Sequence, residues 1–295
     1  FGMRFDDRVT GTLKTYAPKA KKLHIEIDPA EINKNVRADV ALVSDLRSAL
    51  QKLLPSVQRT DRQAWLHHID EIKGDSAVRD IQKMPDSGHL YAAHVIHDLW
   101  RETNGNSIVV TDVGQHQMWE AQYYKHEQPR SLITSGGLGT MGFALPAAIG
   151  AKFARPEADV WVVAGDGGFQ MTMPELATAA QEELDLNIAV INNGYLGMVR
   201  QWQEFFYDRR YSETPLLSPD FAKLAEAFGL RGLTVQGREQ VVPAIREARN
   251  HRGTTLINFL VEQEDSVFPM VPSGAALDEM IRRPSPLVET AASEA

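Results

Sequence analysis

Apolar positions along this chain fall into two alternating periodicities. "KLHIEID" (22–28) alternates apolar and polar residues, whereas "DVWVVAG" (159–165) and "NIAVINN" (187–193) are near-continuous apolar runs. The first pattern predicts a half-exposed strand and the second a strand buried on both faces. In the N-terminal part, "PAEINKN" reads as a turn and short helix. "ADVALVSDLRSALQKLL" (38–54) then reads as a strand leading into a helix with Ser44 as N-cap. These are the closing units of a doubly wound α/β domain over 1–55. Residues 56–86 turn polar, with one helix around "RQAWLHHIDEIKG", and read as a linker.

From Gly88 the alternation is regular. Helical patterns at "LYAAHVIHDLWRET", "HQMWEAQYY", "FALPAAIGAKFA", "MPELATAAQEEL", "SPDFAKLAEAFG" and "EQVVPAIREARN" separate the strands "SIVVTD", "RSLITS", "DVWVVAG", "NIAVINN", "LRGLTV" and "TTLINFLVE". Strands of this kind between helices predict a parallel sheet covered on both faces, a doubly wound α/β domain over 87–267. Its ligands are expected beyond the carboxyl ends of the strands. Residues 268–295 read as a C-terminal arm with a disordered tail, "ETAASEA".

Composition narrows the chemistry. The 295 residues are 43% hydrophobic and 24% charged, with a net charge of -8. That balance, with no basic stripe beyond "KAKK" (19–22), argues against nucleic acid or an anionic membrane as partner. No run reaches the length of a membrane-spanning helix. The absence of cysteine excludes disulfides, thiolate metal sites and cysteine nucleophiles, so any metal takes oxygen or imidazole ligands. The opening "FGMRFDDRVTG" has no initiator methionine and no signal peptide, and reads as entering mid-domain, as a fragment or processed chain would.

The chemistry concentrates in "GDGGFQMTMPELATAAQEELDLNIAVINN" (165–193). Asp166 follows one strand, and Asn193 ends the next, 27 residues later. The helix between is marked by Thr172 and Glu175 in capping-box spacing and by Pro174 in its first turn. A strand-helix-strand crossover returns to the same sheet edge, so a carboxylate and an amide oxygen meet there as part of a shell for a hard cation such as magnesium. Gly165, Gly167 and Gly168 leave backbone amides open to phosphate at a helix N-terminus. His94 and His97 share a helix face without a third ligand, His67 and His68 diverge, and Ser135 lacks the pattern of a nucleophile elbow.

"GDG" followed by "NN" resembles the thiamin-diphosphate motif. "VGQHQMW" (113–119), "SGGLGTMGFALPAAIGAKFA" (135–154), "NNGYLGMVRQWQ" (192–203), "RFDDRVTG" (4–11) and "FPMVPSGAALDEMI" (268–281) narrow the resemblance to the acetohydroxyacid (acetolactate) synthase catalytic subunits, over almost the whole chain. The resemblance implies that Asp166, Asn193 and the Tyr195 carbonyl hold Mg2+. It places Val113, Gly114, Gln115, His116, Gly165, Gly167, Gly168, Leu196, Gly197 and Met198 at the cofactor, Gly139 at the aminopyrimidine, and Met141 beneath its bend. It implies that Arg8, Met198, Val199 and Trp202 border the substrate, Arg8 through the 2-keto acid carboxylate. Read without the resemblance, Arg8 pairs with Asp6 or Asp7, and Trp202 packs against Phe205 and Phe206.

"HIEIDPAEINKNVRADVALVSD" (24–45) resembles the second of two FAD-binding stretches, implicating Arg8, Glu26, Ile27, Asp28 and Asp45. The implied reaction decarboxylates pyruvate and joins the two-carbon unit to pyruvate or 2-ketobutyrate, at the entry to branched-chain amino acids. No catalytic residue is assigned within this chain, because the family's activating glutamate belongs to an N-terminal domain expected upstream. The family further implies a homodimer or homotetramer with its site at a subunit interface, a small regulatory subunit, and a cytoplasmic or organellar setting by source. The C-terminal arm is expected to cover the site. Two alternatives stay open: another thiamin-diphosphate carboligase or decarboxylase, such as the catabolic acetolactate synthase or glyoxylate carboligase, and a cofactor-binding fragment inactive alone.

Overall fold

A computed structural model of the chain describes residues 1–74 and 88–283. The C-terminal part of the expected linker and the "ETAASEA" tail lie outside the described residues. The chain divides into two compact units, Phe1–Val78 with Phe268–Ala295, and Arg79–Val267.

The first unit opens with α1 (Asp7–Thr10), followed by β1 (Leu23–Glu26) and β2 (Val40–Val43), which pair in parallel from Leu23↔Val40 to Glu26↔Val43. Helices α2 (Leu46–Leu53) and α3 (Gln63–Gly74) complete its N-terminal part. The cap of α2 is Asp45 rather than Ser44. Asp45 Oδ1 accepts from Ser48 N at 3.0 Å, while Ser44 Oγ, one residue too early to reach the first turn, donates to the Asp45 carbonyl at 3.1 Å. The segment from Phe268 is tied into the same unit, with Thr12 N donating to Ala275 O at 2.9 Å. The close approach there requires Gly11, whose φ is 54° and at which a Cβ would come within 2.7 Å of that carbonyl.

The second unit carries α4 (Ala92–Thr103), β3 (Ile108–Thr111), α5 (Gln115–Tyr123), β4 (Leu132–Thr134), α6 (Ala144–Ala154) and β5 (Val160–Gly165). It continues through α7 (Asp166–Thr172), α8 (Leu176–Gln181), β6 (Asn187–Asn192), α9 (Gly197–Phe206), α10 (Phe221–Ala227), β7 (Arg231–Val235), α11 (Val241–Asn250) and β8 (Thr255–Leu260). Six parallel strands lie in the order β4-β3-β5-β6-β8-β7.

Strand periodicity divides the core. Val110, Val162, Ala164, Ile188, Val190 and Leu256 pack with α6, α7, α8 and α10 in one cluster, and Phe169 meets Phe221 edge-on at 5.5 Å. The alternate residues Val109, Trp161, Val163, Ala189, Ile191, Ile257 and Phe259 are equally buried, so the sheet is covered on both faces. Each fully buried aliphatic or aromatic side chain there contributes roughly 1.5–3 kcal/mol.

The crossover from β5 to β6 departs from the capping-box expectation. The chain turns helical at once, at Asp166, because Gly165 already holds the extended conformation of an N-cap (φ -78°, ψ 157°). Thr172 lies at the end of α7 with φ -132° and ψ 14°, and its Oγ1 donates to Gly142 O at 3.1 Å. Pro174 then starts a single 3-10 turn, Met173–Glu175, that restarts the helical path as α8.

Candidate functional site

The chain leaves β3 toward β4 on one side and leaves β5 toward β6 on the other, so the sheet's topological switch lies between β3 and β5. A crevice opens beyond the carboxyl ends at such a point. The cleft observed there is lined by Val113 and Gly114 after β3, by Gly165 at the end of β5 with Asp166, Gly167 and Gly168 after it, and by Asn193 and Tyr195 after β6. Of the expected residues, Gln115, His116, Met141, Leu196, Gly197, Met198 and Val199 join them, together with Trp119 and Ile191, which sequence reasoning missed.

Helices α5 and α9 begin at this cleft, and neither N-cap, Gly114 or Leu196, supplies a side-chain bond to its first turn. Unsatisfied N–H groups and the positive end of the dipole therefore face the cleft at both starts, and α7 begins there too. The glycines keep the walls made of backbone. A Cβ on Gly165 would meet His116 Nδ1 at 2.9 Å, and one on Gly167 would meet Leu196 Cδ2 at 2.8 Å. At Gly197 it would run into the Gln115 and Asn193 amides.

Asp166 is 1% exposed. Burial raises its carboxyl from 3.8 to about 6, against the pull of the Ser218 hydroxyl and of the N–H groups of Gly167 and Gly194. Ser218 Oγ donates to Asp166 Oδ2 at 2.9 Å. The Gly194 contact sets this carboxylate beside the turn that carries Asn193. Asn193 Oδ1 accepts from Tyr195 N at 3.1 Å, and its Nδ2 donates to Gln115 Oε1 at 3.2 Å. That turn is clamped by Leu196 N to Thr214 O and Leu216 N to Gly194 O, both 2.8 Å. His116 is buried, its Nε2 has no hydrogen-bond partner among the described residues, and burial pushes its pKa from 6.5 down to about 4, so the ring is neutral at pH 7.

Among the described residues no three His, Cys, Asp or Glu side chains gather as a metal cluster, and Asp166 is the one carboxylate lining the cleft. A cation here would draw on the mixed set of carboxylate, amide and carbonyl oxygens that a hard ion accepts. A buried, charge-penalised carboxylate and an unpartnered imidazole nitrogen fit a cation and a phosphate respectively.

The neighbouring glycine-rich loop is held by Asp112, which the sequence reading passed over. Its Oδ1 accepts from Val113 N at 2.7 Å and Gly142 N at 3.0 Å, and its Oδ2 from Ala144 N at 3.2 Å at the start of α6. Gly142 takes this position with φ 84°. An acid ending a buried strand was the available signal, the same one that marked Asp166; for Ser218, distant in sequence, there was none.

Other expected residues lie outside this lining. Gly139 (φ 66°) lies beside Val113, whose Cγ1 a Cβ at this position would meet at 3.8 Å. Trp202, 43% exposed on α9, meets Phe206 edge-on at 6.0 Å. Arg8 belongs to the first unit, where it pairs with Asp7 at 3.2 Å. In that unit Glu26 Oε1 accepts from Ile27 N at 2.9 Å, and Asp28 caps a 3-10 turn through Ala30 N at 2.8 Å. Ile27 is exposed, and Asp45 caps α2 as described.

Residues 112–259 match the model of the thiamine pyrophosphate enzyme C-terminal TPP binding domain, and residues 1–53 match the thiamine pyrophosphate enzyme central domain. The chain is 47% identical to an acetolactate synthase of Mycobacterium leprae over 95% of its own length and 46% of that protein. It is 44% identical to the acetolactate synthase isozyme 2 large subunit of Escherichia coli (96% and 50% covered). It is 41% identical to a probable acetolactate synthase large subunit of Methanocaldococcus jannaschii (95% and 49%). The chain thus spans about half the length of these relatives. With its switch-point cleft lying inside the matched region, the chain belongs to the thiamine pyrophosphate enzymes and carries their C-terminal TPP-binding domain.

Proposed function

We propose that this chain contributes the diphosphate-binding side of an acetolactate synthase active site, with thiamin diphosphate held in the cleft through one divalent cation. The observation that carries the reading is the meeting of the uncapped starts of α5 and α9 with Asp166 and Asn193 at one switch point. When bound, the cofactor supplies the electron sink for loss of carbon dioxide from pyruvate and for joining the two-carbon unit to a second 2-keto acid.

The chain's own residues bind and orient. Asp166, the Asn193 side chain and the Tyr195 carbonyl would hold Mg2+, and the N–H groups at Gln115 and Gly197 would face the diphosphate, with His116 Nε2 beside it. Gly165, Gly167 and Gly168 admit the ligand to the backbone. Met141, near Gly167, would support the bent cofactor, and Gly139 would meet the aminopyrimidine. Met198, Val199 and Trp202 on α9 would border the acceptor, and Arg8 is assigned the substrate carboxylate. FAD at Arg8, Glu26, Ile27, Asp28 and Asp45 is supported by the resemblance of residues 24–45. A homodimer or homotetramer, with a small regulatory subunit, follows from the same reading.

A second reading, a binding half-site without turnover, is favoured by Asp166 being the one carboxylate among the described residues that line the cleft. Acetolactate formation from pyruvate, with thiamin diphosphate, Mg2+ and FAD supplied, separates the two. Turnover that Asp166→Ala abolishes supports the synthase. Mg2+-dependent cofactor binding without turnover supports the half-site, and no binding at all refutes both.

A further inference from the structure

The amides behind the cleft form a directed chain. Gln201, fully buried on α9, makes a two-point contact with the backbone of Val267: its Nε2 donates to Val267 O at 3.0 Å, and its Oε1 accepts from Val267 N at 2.8 Å. A reversed amide would set NH2 against N–H and oxygen against oxygen, so the backbone fixes which end of Gln201 is which. Gln201 Oε1 also accepts from Gln115 Nε2 at 2.8 Å. That same Gln115 nitrogen donates to Asp265 O at 3.1 Å, so both of its hydrogens are committed to acceptors. Gln115 Oε1 must then point the other way, where Asn193 Nδ2 donates to it at 3.2 Å. Asn193 Oδ1 accepts from Tyr195 N at 3.1 Å, so the amide is held by the backbone on one side and by Gln115 on the other.

Arg200 holds the far end of this chain in place. Its Nη2 donates to Asp265 O at 2.9 Å and to Ser266 Oγ at 3.1 Å, and its Nη1 meets Glu204 Oε2 at 2.9 Å.

We propose that Gln201 is a positioning residue for the cation site: through Gln115, and together with the Tyr195 N–H, it holds Asn193 so that its carbonyl oxygen, and not its NH2, faces the metal. This rests on the reading that Asn193 is a cation ligand. The physical reason is the near-symmetry of an amide. Asn193 rotated by a half-turn occupies the same space, yet it offers a cation two N–H dipoles of the wrong sign. Packing cannot discriminate the two forms, whereas a hydrogen-bond chain anchored on the backbone can. Partners standing behind metal ligands typically change metal affinity by about 10–100-fold when removed.

The test is the affinity of the protein for Mn2+ in the presence of thiamin diphosphate, read from the free-ion electron paramagnetic resonance signal. Gln201→Met, close in volume and without polar ends, is expected to weaken Mn2+ binding about tenfold or more. In an Asn193→Asp background either carboxylate oxygen serves, so adding Gln201→Met should change the affinity by less than about threefold. An unchanged affinity in the single variant, or an equal loss in both backgrounds, overturns the proposal. Absence of Mn2+ binding by the unsubstituted protein instead overturns the cation-site reading on which it rests. Should Gln201→Met not fold, Gln201→Glu keeps the acceptor toward Gln115, and retention within about threefold is expected where a tenfold loss would overturn the relay.

Discussion

Replacing Asp166 by Asn should stabilise the cation-free protein while abolishing its response to Mg2+. Asp166 is buried, and its pKa stands at about 6 instead of 3.8. A raised carboxyl pKa means that the native state disfavours the charge: stability from this group is full below pH 3.8 and is lost as the pH rises through 6. Two pKa units correspond to about 3 kcal/mol at pH 8, falling to about half of that at pH 5. Asn removes the charge and still accepts from Ser218 Oγ, but its new NH2 needs an acceptor, at a cost of roughly 1–2 kcal/mol. A net gain of about 1–2 kcal/mol at pH 8, gone by about pH 4, is therefore expected in chelator. The assay is urea unfolding followed by tryptophan fluorescence, because Trp119 and Trp161 lie buried in the same unit as the site. Added Mg2+ with thiamin diphosphate should stabilise the original protein by about 2.7 kcal/mol at a hundredfold excess over Kd and leave the variant unmoved. A variant less stable than the original at pH 8 in chelator, or one equally stabilised by Mg2+, would refute the argument.

Three further expectations follow from the same geometry. His116, held at about 4 against an ordinary 6.5, is a buried base that resists protonation, so its contribution is full above pH 6.5 and is lost as the pH falls toward 4; ring chemical shifts should show a neutral imidazole at pH 5.5, and protonation there would contradict the burial. Asp112→Ala deprives Val113, Gly142 and Ala144 of their acceptor and should cost about 3 kcal/mol in urea unfolding, with Asp112→Asn costing less. Gly168→Ala drives a methyl group into the Asp112 carboxylate, which three N–H groups hold in place, so it should destabilise by about 2 kcal/mol, whereas Gly167→Ala meets only the movable ends of Leu196 and Leu216 and should mainly weaken cofactor binding in a calorimetric titration.

The strands of the second unit were legible because each is a short apolar run between helical patterns, and β3 to β8 stand where those runs do. Motif spacing likewise brought Asp166 and Asn193 to one cleft, since a crossover has only one edge to return to. Helix starts were less legible. Ser44 and Thr172 have capping side chains, yet Asp45 and Gly165 hold the extended backbone one step before the first turn, and backbone conformation decides the cap. Helix α9 was not among the helical patterns of the alternation; its start lies between Gly194, in the turn (φ 69°), and Gly197, its first residue. Asp112, Ser218 and Gln201 act across 30 to 66 residues of sequence, and no periodicity carries information over such gaps.

The makeup of the cleft follows from charge. A diphosphate and a dication meeting in a buried space leave an excess of negative charge, so each carboxylate beyond the one that binds the metal would repel the ligand at low dielectric. On the proposed reading Asp166 would supply that one, the buried His116 stays neutral, and the remaining polar groups of the lining are amides and backbone N–H groups, which offer dipoles without net charge. Buried amides, however, must be paired and can be reversed, and each pairing passes the orientation problem to the next group until one is fixed by the main chain. In this protein the main chain fixes it at both ends, at Tyr195 N beside Asn193 and at Val267 beside Gln201, so the residues between, Gln115 and the 265–267 segment, belong to the same device as Asn193.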